Sequence, residues 1–280
     1  MPAVHIDLAD LHMHSHYSDG FSSPAELVEA ALEAGLKAIS LTDHDCIDGI
    51  EELGSAAGSR ILTIPGVELS CIVEEREVHV LGYAFDPSDS TLNAQLRMIS
   101  ARRTQRADRI VAKLKAMGMP ISLDDVLARA TNGNVGRPHI AEEVVSKGYA
   151  ADIFEVFNKY LGYGCKAYEP KFELSPKLGI EMIHRAGGKA VLAHPGIRFK
   201  EKVLLEMIRT GLDGIECIHP KHKDAARSYF RKLCEQYTLL ETGGSDYHGR
   251  PTDAPIGSHP IEYEKIKVLV PSSIHEVTPD

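Results

Sequence analysis

Short apolar runs in this chain end, one after another, in histidine or acidic residues. Residues 37–41 run into Thr42-Asp43-His44-Asp45, residues 189–193 into His194-Pro195-Gly196, residues 214–218 into His219, and residues 238–241 into Gly243-Gly244-Ser245-Asp246-Tyr247-His248. Between such runs lie helix signals. Ser23-Pro24-Ala25-Glu26 combines an N-cap, a proline at the first helical position and a capping-box glutamate, with Gly35 closing the helix after about Ala34. Ser175-Pro176 opens a second helix that ends at Gly187-Gly188, and residues 224–237 read as a third. Strand followed by helix, repeated, predicts an α/β fold with parallel strands and helical crossovers. Ending a buried strand in Asp-His costs solvation unless something compensates. In α/β barrels the carboxyl ends of the strands carry the chemistry.

The first run makes that chemistry specific. Residues 6–14 alternate as a strand that runs into Asp10-Leu-His-Met-His-Ser-His-Tyr-Ser-Asp-Gly20. Alternate residues share a face of a strand, so His12 and His14 aim at one point, with Asp19 close by in the turn marked by Gly20. Imidazole plus carboxylate is a donor set for a divalent metal. Strands over residues 67–70 and 77–83 add Glu68 and His79, giving nine candidate ligands: His12, His14, Asp19, His44, Glu68, His79, His194, Asp246 and His248. Singly each is weak, since a lone histidine at a strand end is ordinarily a hydrogen-bonded structural residue and Asp246 suits an Asx turn. The joint pattern carries the reading.

Residues 93–163 break the rhythm. No strand pattern appears there, and Arg97, Arg102, Arg103, Arg106, Arg109, Lys113 and Lys115 alternate with apolar residues at helical spacing. The plain reading of this basic run is a solvated helix face; the sharper one is a cap whose cations guide an anionic substrate. The expected organisation is a discontinuous barrel of residues 1–92 and 164–280 around a helical insertion, 93–163. A length of 280 residues accommodates one such barrel, typically about 250 residues. The net charge of −9 speaks against duplex DNA as a partner. Five widely spaced cysteines without a Cys-x-x-Cys pair read as reduced thiols, and no signal or membrane-spanning pattern is present, so a cytoplasmic location is expected, with no obligatory protein partner.

Taken in order, Asp10-Leu-His-x-His-Ser, Ser18-Asp-Gly20, Leu41-Thr-Asp-His44, Gly66-Val-Glu68, His79, Ala193-His-Pro-Gly196 and Gly244-Ser-Asp-x-His248 resemble the polymerase and histidinol phosphatase (PHP) family. The resemblance implies a distorted (β/α)7 barrel, here with an all-helical insertion. It also implies a trinuclear centre of divalent ions, Mn2+ first with Fe2+ or Zn2+ as alternatives, and phosphoester hydrolysis by a metal-bridging hydroxide. It groups His12, His14, Glu68 and Asp246 around one metal. Glu68 bridges to a second held with His79 and His194, and Asp19, His44 and His248 hold a third. Asp43 and Asp45 read as carboxylates that orient imidazoles, or as turn residues, and Asp10 as the orienting group for His12. His219 and His222, in His-Pro-Lys-His, lie near the site as a proton donor or phosphate contact, or serve structure.

The substrate clue is Gly136-Arg-Pro-His-Ile-Ala141, which is similar to the Arg-x-His segment of family members that act on nucleotides. Arg137 suits bidentate binding of a phosphate and His139 a second oxygen, with Lys166 and Arg198 as contacts to another phosphate. This points to the subgroup of nucleoside 3′,5′-bisphosphate phosphatases and 5′-3′ exoribonucleases of short single-stranded RNA. Two other enzyme readings are histidinol-phosphate phosphatase and a proofreading module of a polymerase, though this chain carries no polymerase domain. The non-enzyme reading is a metal-stabilised nucleotide-binding module.

Overall fold

The computed structural model describes residues 6–130, 134–170, 174–196 and 199–270. In chain order the elements begin β1 (Leu8–Met13), α1 (Pro24–Glu33), β2 (Ala38–Leu41), α2 (Ile50–Ala57), β3 (Leu62–Thr63), β4 (Gly66–Val73) and β5 (Arg76–Tyr83). A helical stretch follows: α3 (Ser90–Ala116), α4 (Leu123–Arg129), α5 (Arg137–Ser146) and α6 (Ile153–Val156), the last running into a π-helical turn, Phe157–Leu161. The chain then returns to alternation with α7 (Pro176–Arg185), β6 (Lys189–Leu192), α8 (Glu201–Arg209), β7 (Gly214–Ile218), α9 (Asp224–Tyr237), β8 (Leu240–Gly243) and β9 (Ile261–Glu262), followed by a 3-10 helix, Tyr263–Leu269. The capping box at α1 forms as its sequence predicts, with Ser23 Oγ accepting from the Glu26 amide and Glu26 from that of Ser23.

The strands form two hydrogen-bonded sheets, ordered β3-β2-β1-β9 and β4-β5-β6-β7-β8. The first three pair in parallel, as do β6, β7 and β8. The expectation of parallel strands fails at β5, which runs antiparallel to both β4 and β6, and at β9, antiparallel to β1. At β4–β5 the reason is a two-residue hairpin. Glu74 and Glu75 both adopt left-handed backbone, φ 47° and 61°, the geometry whose twist matches paired strands but which Asn-Gly normally announces. Isolated bridges join the sheets at both margins, Met13 with Tyr247 and His44 with Glu68. Between them lies an apolar interior contributed by both sheets, including Ala9, Leu11, Leu81, Tyr83, Val191 and Ala193. The buried Tyr83 hydroxyl donates across it to the Leu11 carbonyl at 2.8 Å.

The helical stretch has its own apolar cluster, from Ala107, Ile110, Val111 and Leu114 on α3 through Ile140, Ala141 and Val144 on α5 to Leu161. The basic run on α3 divides between the two readings offered for it. Arg97 and Arg102 are exposed, whereas Arg103 reaches Asp45 and Ser70 and the buried Arg106 donates to the Glu169 carbonyl. No helix among the described residues is long and apolar enough to cross a membrane. Four of the five cysteines are buried and all are free thiols.

Candidate metal centre

β1 and the residues after it, the loop after β2, β4, β5, the loop after β6 and the loop after β8 converge on one carboxylate. Glu68, 1% exposed, lies within 2.8–3.5 Å of five imidazoles. Its Oε1 is 2.8 Å from His79 Nδ1 and 3.0 Å from His194 Nε2. Its Oε2 is 3.0 Å from His44 Nδ1, 3.3 Å from His14 Nε2 and 3.5 Å from His12 Nε2. Asp246 Oδ1 closes the same nest, 3.4 Å from both His12 Nε2 and His14 Nε2. A neighbouring group gathers His14, His44, His248 and Asp19, whose Oδ1 is 3.4 Å from His248 Nε2 and 4.0 Å from His44 Nε2. All nine residues singled out by sequence therefore stand together. A further group joins His12, His194 and Asp246 to His219.

The nest fits cations better than it fits hydrogen bonds. Buried polar atoms in native proteins are almost always paired. Among the described residues twelve buried side-chain polar atoms make no hydrogen bond, and seven are here: His12 Nε2, both ring nitrogens of His14, Asp19 Oδ1, His44 Nδ1, Glu68 Oε2 and His79 Nδ1. Four donors around one ion at about 2.1 Å stand about 3.4 Å apart. The separations of Glu68 Oε2 and Asp246 Oδ1 from the Nε2 atoms of His12 and His14 are 3.3–3.5 Å.

Outer hydrogen bonds set the tautomers. His12 Nδ1 lies 2.8 Å from Glu216 Oε1, His79 Nε2 lies 2.8 Å from Glu77 Oε1, and His248 Nδ1 lies 2.8 Å from the Asp246 carbonyl. Each acceptor fixes the proton on the outward nitrogen and leaves the inward lone pair free. Burial pushes His14 down and His44 to about 3. Burial alone would raise Glu68, but the imidazoles of His79, His44 and His12 hold it well below the usual carboxylate range. Asp246 follows the same pattern through His12 and His14. Against their own burial, His12 is drawn up by Glu216 and Glu68, and His79, to about 9, by Glu68. A field that draws protons there draws cations too. Two candidate ligands also hold left-handed backbone, His194 at φ 24° and Asp246 at φ 52°, strain of the kind that collects at functional sites.

Several orienting roles expected from sequence belong to other residues. Asp10 holds backbone, accepting from the amides of His12, Ser245 and Gly257 at 3.3, 3.0 and 2.9 Å. The His12 ring is held by Glu216 instead, whose Oε2 also accepts the His194 amide at 2.8 Å. Glu216 is fully buried; burial would raise its carboxyl, but His12 and His219 lower it to about 2. Its signal was legible as a charged residue inside the apolar strand Gly214–Ile218, as was Glu77, two positions before His79 on the same strand face. Asp43 binds no imidazole; it accepts from the Ser15 amide and the hydroxyls of Ser15 and Ser18 at 2.6–2.8 Å, and thereby shapes the loop that carries Asp19. Asp45 pairs with Arg103 and accepts the Ser70 amide at 2.7 Å.

The residues read as substrate contacts separate. A cavity of about 150 Å³ beside the centre is lined by Asp19, His44, Glu77, Arg103, Arg106, Asn134, Arg137, His139 and Phe157, among others. Arg137 lies 3.6 Å from Glu77 and over the Phe157 ring. His139 is 6% exposed and works structurally: its Nδ1 accepts the Gly136 amide at 3.0 Å and its ring hydrogen-bonds the Ser18 backbone. His139 nevertheless lines the cavity, as do Arg103 and Arg106. His219 is fully buried, with Nδ1 accepting the Lys221 amide and Nε2 3.1 Å from Asp246 Oδ2, so it holds Asp246. His222 bridges the Cys217 carbonyl and the Gly196 amide. Lys166 is exposed and is not among the residues lining the cavity. Arg198 lies outside the described residues. A second cavity, of about 310 Å³, borders His79 and His194 on the other side of Glu77.

A PHP domain matches residues 10–248. Over 248 residues the chain is 33% identical to the 5′-3′ exoribonuclease Rnm of Escherichia coli, covering 85% of this chain and 84% of that protein. Over 281 residues it is 32% identical to the 3′,5′-nucleoside bisphosphate phosphatase of Chromobacterium violaceum, covering 94% and 98%. Among solved structures, one described as a metal-dependent phosphoesterase from Bifidobacterium adolescentis matches with a TM-score of 0.86 at 31% identity, covering 93% of this chain and 94% of the other.

Proposed function

Because this chain belongs to the PHP domain family and is a hydrolase of phosphate esters, we propose that its substrates are 5′-phosphorylated nucleotides. On this reading it releases the 3′-phosphate of nucleoside 3′,5′-bisphosphates and trims short single-stranded RNA in the 5′-3′ direction, by attack of water on phosphorus. The observation that carries the reading is the adjacency of the two halves. The unpartnered donors around Glu68 and Asp19 and the arginine-lined cavity share His44 and Asp19 as walls. A molecule with phosphates at both ends of a ribose can place one on Arg103, Arg106 and Arg137 and the other at the centre. One relative is named for 3′,5′-nucleoside bisphosphates and another for 5′-3′ degradation of RNA; on this reading both reactions break a bond at the 3′ side of a 5′-phosphorylated nucleotide.

The nine ligand candidates would hold three divalent ions, Mn2+ first, in groups centred on Glu68 and on Asp19, as the donor chemistry and the distances support. Bound there, such ions supply Lewis acidity to phosphoryl oxygens and acidify water. The chain's own part is to orient. Glu216, Glu77 and the Asp246 carbonyl keep three lone pairs inward, Asp43 fixes the Asp19 loop, and the arginines align the far phosphate. The ring formed by β1, β2, β4, β5, β6, β7 and β8 is read as a distorted (β/α)7 barrel, supported by the bridges at Met13 and His44. The helical stretch of residues 93–163 is read as an inserted cap, supported by its separate apolar cluster.

Phosphate release with Mn2+, compared between adenosine 3′,5′-bisphosphate and histidinol phosphate, tests the substrate. Preference for the bisphosphate is expected, and preference for histidinol phosphate contradicts it. No turnover of any phosphoester with metals bound returns the non-enzyme reading.

A further inference from the structure

The second cavity has no part in holding a bisphosphate, and we infer that it seats the nucleotide on the 3′ side of the scissile phosphate of a single-stranded RNA. The inference rests on the nucleotide reading above. The two cavities lie on either side of Glu77, one bordered by Asp19 and His44, the other by His79 and His194. Glu68 contacts His44, His79 and His194 between them. A mononucleotide with its far phosphate on the arginines ends at the centre. An RNA continues from the scissile phosphate to another ribose and base, and the cavity of about 310 Å³ borders the centre at His79 and His194, where they can be received. Its volume falls within the roughly 300–1,000 Å³ of ligand pockets.

The lining offers a base apolar surface from Val78, Ala193, Pro195 and Phe199, and an adjoining cavity that shares Glu77, Val78, Pro195 and Phe199 adds Arg76 and Lys200 farther out. Phe199 is half-buried against the apolar core, its amide held by the Gly196 carbonyl at 3.0 Å, which holds its backbone at the cavity wall. A face of this kind accepts any base by stacking and reads no sequence. The reaction then repeats itself. Water oxygen bonds to phosphorus, the bond from phosphorus to the 3′-oxygen breaks, and a proton ends on that 3′-oxygen. The phosphate stays on the downstream piece as a new 5′-phosphate, the group the arginine cavity takes in the next round.

The test compares the 5′-phosphorylated dinucleotide pApA with adenosine 3′,5′-bisphosphate in the full-length, metal-loaded protein. For Phe199→Ala the ratio of kcat/KM for pApA over that for the bisphosphate is expected to fall about 5- to 150-fold, the range set by one lost base stack. Phe199→Tyr, which keeps a ring, is expected to restore it. A fold or metal defect moves both substrates together and leaves the ratio unmoved, and an unmoved ratio overturns the inference. A second readout needs no turnover. In a dinucleotide whose bridging 3′-oxygen is replaced by methylene, a 2-aminopurine as second base is expected to be quenched by the wild type and by Phe199→Tyr, and not by Phe199→Ala. Equal quenching by all three overturns the inference. A protein that acts on the bisphosphate but neither cleaves nor binds the dinucleotide defeats this inference alone, whereas one that acts on neither defeats the nucleotide reading itself.

Discussion

Glu216→Gln isolates the least visible part of the centre. The carboxylate is fully buried and makes two bonds, one to the His12 ring and one from the His194 amide, each 2.8 Å. A glutamine of the same shape can satisfy only one. If its oxygen keeps the His194 amide, its NH2 faces His12 Nδ1 and forces the proton onto Nε2, the atom 3.5 Å from Glu68 and 3.4 Å from Asp246. The lone pair that points into the centre is then gone. If the oxygen turns to His12 instead, two donors face each other at His194, and an unsatisfied buried donor costs about 1–3 kcal/mol. Either arrangement lowers metal affinity about 5- to 150-fold, in line with the roughly 10- to 100-fold typical of lost outer hydrogen bonds. Loss of the negative charge acts in the same direction. Titration calorimetry of chelator-treated protein with Mn2+ measures this, with circular dichroism to verify the fold. Wild-type affinity and stoichiometry in a folded Glu216→Gln protein would refute the claim that Glu216 sets the His12 tautomer.

Arg137→Ala is expected to raise KM for adenosine 3′,5′-bisphosphate by about tenfold or more, since it removes a charge-assisted phosphate contact; unchanged KM and kcat remove Arg137 from substrate binding. Gly244→Ala would place a methyl 2.5 Å from the His12 backbone nitrogen, so His12 must shift, and Mn2+ stoichiometry measured by mass spectrometry is expected to drop below that of the wild type. Asp213 tests electrostatics far from the centre. Its partial burial would raise its carboxyl, but the Ala190 amide, Lys189 and His184 outweigh burial and lower it. Its contribution to stability is therefore present above the unfolded value of about 3.9 and is lost as pH falls through its lower folded value. Scanning calorimetry is expected to show a smaller loss of Tm on acidification for Asp213→Asn than for the wild type.

Much of the centre was legible because the candidate ligands break the apolar pattern of the strands that carry them. His44, His194 and Asp246 each interrupt a run that otherwise belongs in a core, and His12 and His14 share parity. What sequence did not disclose depends on tertiary contact. Asp10, Asp43 and Asp45 all sit beside candidate histidines in the chain, yet each binds backbone, serine or arginine, because a short carboxylate bonds whatever the fold brings within about 3 Å. Glu216, far from His12 in sequence, is the residue that holds its ring. The β4–β5 hairpin was hidden for a local reason, since Glu74-Glu75 occupies a turn that usually declares itself with Asn-Gly. Helices α2 and α8 went unannounced, and neither has a side-chain cap, Gly49 and Lys200 standing at their N-caps.

The central claim is that the buried donors around Glu68 and Asp19 are metal ligands. Anomalous difference density from a crystal loaded with Mn2+ and collected at the manganese edge tests it directly. The account expects three peaks. One lies among His12, His14, Glu68 and Asp246, one beside Glu68 with His79 and His194, and one with Asp19, His44 and His248. Full phosphoesterase activity from a protein whose density shows no peak within coordination distance of Glu68 would contradict it.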